Sequence, residues 1–169
     1  MKTLDTVADD PIELAHRNWV AAGWTEAADG MALVTSIMRV QQLFLADVEA
    51  ILKPHGLTFA RFEVLRLLAF TRRGALPVGK IGERLQVHPA SVTNAVQRLE
   101  DAGLVERYTN PDDGRSVLAE ITAAGRDLVE RCTVLLNRRV FEHNPLAPAE
   151  IASVRAGLDA LRRSFGDPA

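Results

Sequence analysis

Ser91, Thr93, Asn94, Gln97 and Arg98 lie close together in the chain, and each carries a side chain able to bond a base edge or a phosphate. Asn and Gln offer a donor and an acceptor side by side, the pair that adenine N6 and N7 require, while Arg suits guanine or a phosphate. Ser and Thr hydroxyls bond phosphates, aided by a helix N-terminus. Further on, Asp113-Gly-Arg115 sets a carboxylate two residues from a guanidinium on a turn. A narrow A·T-rich minor groove concentrates negative potential and attracts such an Arg. Arg72, Arg73, Lys80, Arg84 and His88 are candidate phosphate partners. The plainer alternative is a solvated helix face and an exposed turn ion pair that contributes little.

Catalytic constellations are missing from the sequence. His16, His55, His88 and His143 are far apart, and none sits in a metal spacing such as H-E-x-x-H. There is no Gly-rich phosphate loop and no nucleophile elbow. Glu49, Glu63 and the Asp112/Asp113 pair fall on expected surfaces or turns without a matched acid and base. Cys132 is the single cysteine, which excludes an intrachain disulfide framework and a Cys-based zinc site. It lies on the apolar stripe of its helix, beside Arg131, and reads as a buried inert thiol rather than a redox sensor. The expectation is no enzyme, no metal and no cofactor.

The elements that must place these residues are mostly helical. Pro11 to Gly23 reads as a short helix with Ile12, Ala15, Trp19 and Ala22 on one side. Ala27 to Leu52 carries Val34, Ile37, Met38, Leu45, Val48 and Leu52 at helical steps. Thr58 can cap a helix to about Thr71, with Phe62, Leu65, Leu68 and Ala69 inward. Gly74 to Pro77 reads as a turn. Val78, Ile81 and Leu85 mark two helical turns, Val87-His88 a link, and Pro89 the start of another helix, where its missing N–H costs nothing. Val92, Val96 and Leu99 follow on its inner face, and Gly103 closes it. Two short helices around a tight link have the layout of a helix-turn-helix. Leu104–Thr109, the turn Asn110-Pro-Asp-Asp-Gly114, and Val117, Ala119 and Ile121 then form a hairpin, a wing. A helix from Thr122 to about Val140 turns Leu128, Cys132, Leu135 and Leu136 inward. The last, Ala149 to Phe165, spaces Ile151, Val154, Leu158, Leu161 and Phe165 as a seam seeking another helix.

The 169 residues fit one compact domain: an N-terminal extension with dimerisation helices (1–56), a winged helix-turn-helix (57–122) and C-terminal dimerisation helices (123–169). The fold class is mainly α with a small β-hairpin wing. The net charge of −2 excludes a histone-like binder. By segment, residues 58–115 hold nine basic and seven acidic residues, the only basic third of the chain. Residues 1–11 carry acidic groups and no apolar stretch, so no signal peptide is expected. No apolar run is expected to span a bilayer. With the lone cysteine, this reads as a cytoplasmic protein without a membrane partner.

Residues 57 to about 129 resemble the MarR family of bacterial transcription regulators. The resemblance is carried by Val78-Gly-Lys-Ile-Gly-Glu-Arg-Leu85, Pro89-Ala-Ser-Val-Thr-Asn-Ala-Val-Gln-Arg-Leu-Glu100, Gly103-Leu-Val-Glu-Arg107, Asp112-Asp-Gly-Arg-Ser116 and Leu118-Ala-Glu-Ile-Thr-Ala-Ala-Gly125. Each fragment is weak alone; their order and spacing are specific. The resemblance implies a homodimer whose terminal helices interlock, each chain offering a winged helix-turn-helix to half of a pseudo-palindromic double-stranded DNA operator. It implies a ligand-responsive regulator, most often a repressor. It also implies that Ser91, Thr93, Asn94, Gln97 and Arg98 face the major groove, and that Arg115, oriented by Asp113, enters the minor groove. Many members carry Arg where Asn94 stands. A winged helix used only for protein contact is the competing reading.

A small-molecule effector is expected where the dimer helices meet the winged domain. The N-terminal helix with Trp19, beside Arg17, is similar to the urate-responsive branch, where Trp, an acidic residue and an Arg line the site. Glu63 matches the acidic position, but Phe70 stands where that Arg would be. Phe44, Phe62 and Phe70 suggest a more apolar ligand, aromatic or acyl. The structural alternative is that these rings are core.

Overall fold

The computed structural model describes residues 10–167, so the reading of residues 1–9 as free of a signal peptide lies outside the described residues. The chain divides into two compact units, Met1–Ala50 and Ile51–Ala169. The C-terminal helices fall in the same unit as the winged region.

In the first unit, helix α1 (Pro11–Ala21) opens at Asp10, whose side chain accepts from the Ile12 amide at 3.0 Å, with Pro11 at the first position. His16 Nε2 pairs with Asp29 at 2.8 Å and ties α1 to helix α2 (Thr25–Leu52), which begins in this unit. Ala28 and Val48 are buried. Val34, Met38 and Leu45, spaced at helical steps, are exposed, as are Leu33, Leu43 and Phe44; Met38 is 62% exposed. The spacing predicts a helix correctly, but an apolar stripe seeks any cover, and a single chain leaves this one bare. Over Thr25–His55 the chain has a window of mean hydropathy 1.2 with few charges, long and apolar enough by length and composition to cross a bilayer. Scattered Gly, Ser, Thr and Gln interrupt the apolar run without lowering its mean enough to exclude it.

In the second unit, helix α3 (Phe59–Phe70) is capped by Thr58, whose hydroxyl accepts from the Arg61 amide at 3.4 Å. It buries Phe62, Val64, Leu65 and Leu68. Gly74 then adopts φ +73°, a left-handed conformation open to glycine. The segment expected to be only a turn continues as strand β1 (Ala75–Pro77). Local spacing could not show this, because its partner is distant in sequence.

Helix α4 (Val78–Leu85) buries Ile81, and Gln86 turns the chain with φ 55°. Helix α5 (Pro89–Asp101) buries Val92, Val96 and Leu99, as its periodicity predicts. A Cβ on Gly82 would lie 3.2 Å from the Val92 side chain, so α4 and α5 approach closely there.

Strands β2 (Val105–Thr109) and β3 (Val117–Ile121) pair antiparallel from Val105↔Ile121 to Thr109↔Val117. With Leu76↔Ala119 the sheet order is β1-β3-β2, so the wing has a third strand at its base. Helix α6 (Ala123–Leu136), capped by Thr122, buries Val129, Cys132 and Leu136, while Leu128 and Leu135 are half-buried. A π turn, Asn137–Phe141, ends it. Helix α7 (Pro148–Ser164) buries none of its residues; Val154 and Leu158 are exposed, and Phe165 just beyond it is 88% exposed.

Candidate nucleic-acid interface

The inner face of α5 is fixed by Val92, Val96 and Leu99 against the core, so its opposite face points outward. Ser91, Thr93, Asn94 and Arg98 lie on that exposed face. No side-chain bond engages Ser91, Asn94 or Arg98 among the described residues, so their donors and acceptors remain available. Thr93 Oγ1 donates to the Pro89 carbonyl at 3.0 Å. Its oxygen can still accept, and its methyl can meet a thymine. His88 Nδ1 accepts from the Ala90 amide at 3.2 Å and caps α5. That leaves the proton on Nε2, which can donate outward.

A cleft of about 810 Å³ runs between the start of α3 and α5, lined by Thr58, Arg61, Ser91, Asn94 and Arg98 among others. Arg61 is a cation that the sequence reading missed. Thr58 at a helix start, with Arg one turn on, was the available signal. Arg61 Nε donates to Thr58 Oγ1 at 3.2 Å, which directs the side chain along this edge.

Gln97 is placed differently from its neighbours. It is half-buried, and its amide nitrogen donates to Asp101 at 2.8 Å and to Glu100 at 3.3 Å. Its oxygen accepts from Arg107. Both ends of the carboxamide are thus taken within the chain, where the sequence suggested a free adenine reader.

At the wing tip, Asn110 accepts from the Asp112 amide and Asp113 from the Arg115 amide, at 3.0 and 3.2 Å, shaping the turn. The Arg115 guanidinium lies 3.6 Å from Asp113, and the Arg115 side chain is 97% exposed. Arg73 stands over a second cleft of about 550 Å³ with Tyr108, Asn110, Asp112 and Glu120, where the Tyr108 hydroxyl donates to Glu120 at 2.8 Å. That bond, together with burial, holds the Tyr108 phenol above its ordinary pKa. Arg72 and Arg84 are exposed, and Lys80 pairs with Glu83 at 2.6 Å on the surface.

Within the winged unit the structure brings Ser91, Thr93, Asn94 and Arg98 onto one face of α5. Residues 57–117 match the model of the MarR family. The chain is 48% identical to Sco5413, a MarR family transcriptional regulator from Streptomyces coelicolor, with a TM-score of 0.74 over 83% of this chain and 99% of that one. The chain belongs to the MarR family. As a MarR protein it is a winged-helix transcription regulator, and such regulators are non-enzymatic. It is also 33% identical over 109 residues, 64% of this chain and 77% of the relative, to the HTH-type transcriptional repressor Rv2887 of Mycobacterium tuberculosis. A mutant of the MarR protein from Escherichia coli, solved in complex with operator DNA, is 26% identical with a TM-score of 0.72 over 80% of this chain and 96% of that one. Among the described residues of this MarR chain no group of His, Cys, Asp and Glu could hold a metal ion.

The candidate effector residues fall in both units. In the first, Trp19 packs edge-on against Trp24 with centroids 5.4 Å apart, and both line a cleft of about 620 Å³ at the turn between α1 and α2. Arg17 and Phe44 are exposed. In the second unit, Phe62 is a buried core residue that stacks on Phe59 at 6.4 Å, so its ring is committed to the core. Glu63 is half-buried, and that burial raises its carboxyl above the ordinary range. Phe70 is exposed and carries the Arg66 guanidinium 4.3 Å from its ring centroid, a cation–π contact. Arg66 also donates to Glu130 at 2.7 Å and to Thr133 at 3.2 Å, bracing α3 against α6.

Proposed function

We propose that this protein is a homodimeric, ligand-responsive repressor that binds a pseudo-palindromic DNA operator in the cytoplasm. Each chain lays α5 in a major groove through Ser91, Thr93, Asn94 and Arg98, and reaches the adjacent minor groove with Arg115. The observation that carries this reading is the exposed polar face at the start of α5, with Arg61 beside it and a fully projecting Arg115 at the wing tip. Small and hydroxyl side chains let the helix approach base edges closely, and the cations face the phosphates. Arg73, Lys80 and His88 add phosphate contacts. The DNA complex of the Escherichia coli relative and the repressor from Mycobacterium tuberculosis support the same partner and the same direction of control.

The exposed apolar stripes of α2 and α7 support dimerisation, since surfaces of that kind mark sites of association. Trp19, Arg17 and Phe44 in the first unit, and separately Glu63 and Phe70 in the second, are the residues we assign to effector recognition. An aromatic or acyl ligand suits their apolar character.

The test is a gel shift on the intergenic DNA beside the protein's own gene, at two salt concentrations with unrelated DNA as competitor. Saturable binding that resists competitor is expected, weakening steeply with salt as neutralised phosphates release counterions. Footprints should show two half-sites about one helical turn apart. Absence of binding by the folded protein at low salt would overturn the proposal in favour of a protein-contact module.

A further inference from the structure

We infer that Arg107 is a positioning residue for DNA reading: with Glu100 it withdraws Gln97 from the groove-facing set and fastens the wing to the recognition helix. The inference rests on the DNA-reading function proposed above and assigns within it a role to residues that touch no base.

Arg107 stands on β2 directly across from Ala119 of β3, which is fully buried. Strand alternation puts Arg107 on the same side as the buried Val105, so its cation must find a partner at the domain body. Glu100 of α5 supplies it. Arg107 Nε donates to Glu100 at 2.8 Å, and Nη2 donates to the same oxygen at 2.5 Å. Nη2 also donates to Gln97. The guanidinium plane thereby holds two successive turns of α5 at once, through a rigid planar fork whose fixed geometry the compact, rotatable ammonium of a lysine does not reproduce.

Two consequences follow. A glutamine reads adenine with its oxygen and nitrogen together, and here Arg107 occupies the oxygen while Asp101 and Glu100 occupy the nitrogen. Gln97 is therefore a strut. The clamp also sits near the base of the hairpin whose tip is Arg115. A strand rises about 3.3 Å per residue, so a small rotation at Arg107 becomes a larger displacement at the wing tip. Joined in this way, α5 and Arg115 meet DNA as one surface with a fixed angle.

The test compares Gln97→Ala, Arg107→Lys, Arg115→Ala and the Arg107→Lys/Arg115→Ala double variant on the operator and on a panel with each base pair replaced. Gln97→Ala is expected to weaken every duplex by the same factor, about threefold or less, leaving base preference unchanged. Arg115→Ala is expected to cost about tenfold in the native protein but less than about threefold in the Arg107→Lys background, where the wing is already released. A change of preference at one base pair in Gln97→Ala would make it a reader and overturn the strut. An equal Arg115→Ala factor in both backgrounds would overturn the coupling. Should Arg107→Lys melt early by circular dichroism, Glu100→Gln opens the same clamp from the other side and is read in the same way. A native protein that leaves no footprint would overturn the functional proposal and this inference together. A native footprint with additive variants overturns this inference alone.

Discussion

Arg115 and Asp113 are joined twice: the Arg115 amide donates to the Asp113 carboxylate at 3.2 Å, and the Arg115 guanidinium lies 3.6 Å from the same oxygen. The backbone bond sets the turn and the ionic contact aims the side chain. The ion pair is exposed and contributes little to stability. Removing the guanidinium should therefore separate binding from folding. Arg115→Ala is expected to weaken operator binding about tenfold, lower the salt slope by about one, and leave the melting temperature unchanged. Fluorescence anisotropy at three salt concentrations, with a thermal melt, checks all three.

Glu63 and Glu130 should respond to pH with opposite signs. Burial raises the Glu63 carboxyl, so its ionised form is a burden on the folded state. Its contribution is fully favourable below the ordinary carboxylate pKa and is lost as pH rises through the raised folded value. The hydrogen bond from Arg66, reinforced by its charge, lowers Glu130. Its stabilisation is present above the ordinary value and is lost as pH falls through the lowered folded one. Glu63→Gln is expected to raise stability at pH 7, and Glu130→Gln to reduce it. Both differences should fade below about pH 4, where model carboxylates protonate. Urea unfolding at a series of pH values decides this; a Glu63→Gln protein less stable than native at pH 7 would contradict the assignment.

Much of the interface was legible in the sequence because periodicity reports directly on which face of α5 is inside. Val92, Val96 and Leu99 determine that Ser91, Thr93, Asn94 and Arg98 point out, and the structure places them so. The turn residues Asn110 to Gly114 likewise located the wing. What local spacing could not carry were pairings between distant segments. Strand β1 is three residues long and ends in Pro77, so it reads as a turn until its partner β3 is beside it. Arg107 fell in an alternating strand at an inward position, which signals that a partner must exist without naming Glu100 or Gln97. Phe62 was drawn towards a ligand by its aromatic ring, yet its place on the inner face of α3 commits it to the core. The stripes of α2 and α7 were recognised as apolar, but what covers an apolar stripe is not written in its own spacing.

Gly125 is required by a close approach between elements. A Cβ there would lie 2.2 Å from the Leu104 carbonyl oxygen and 3.0 Å from Ile121. The carbonyl belongs to the backbone and accepts from the Thr122 amide at 3.1 Å, so it cannot move without breaking the junction between β3 and α6. Gly125→Ala is expected to destabilise by about 3 kcal/mol or more, at the upper end of overpacking costs, despite alanine's better helix propensity. Urea titration against the native protein measures it. A neutral or stabilising result would mean that α6 can slide away from Leu104.

Cys132 is fully buried, and burial, only partly opposed by the neighbouring Arg131 charge, pushes its thiol up. Thiolate, not thiol, reacts with disulfides and oxidants. The folded protein should therefore resist a disulfide reagent and release one equivalent of thiol only in denaturant. Hydrogen peroxide at moderate concentration should leave operator binding unchanged. Rapid labelling of the native protein would show that α6 opens, and would give this thiol a regulatory role.

The exposed stripes of α2 and α7 make a prediction that distinguishes two kinds of cover. Val154 and Leu158 of α7 and Met38 of α2 are large apolar side chains left open in the single chain. If a second copy covers them, the protein sediments at twice its 18.5 kDa mass and stays in the supernatant after membranes are pelleted. Val154→Glu/Leu158→Glu should then yield monomers, because each buried carboxylate would have to be desolvated without a partner. Operator affinity should fall steeply with them, since two linked half-sites bind far more tightly than one. If α2 instead meets lipid, which its length and hydropathy permit, the protein pellets with membranes and Met38→Glu releases it. Analytical ultracentrifugation of the native protein and the three substitutions, alongside fractionation of cell lysate, separates these outcomes; a native monomer in the supernatant would exclude both.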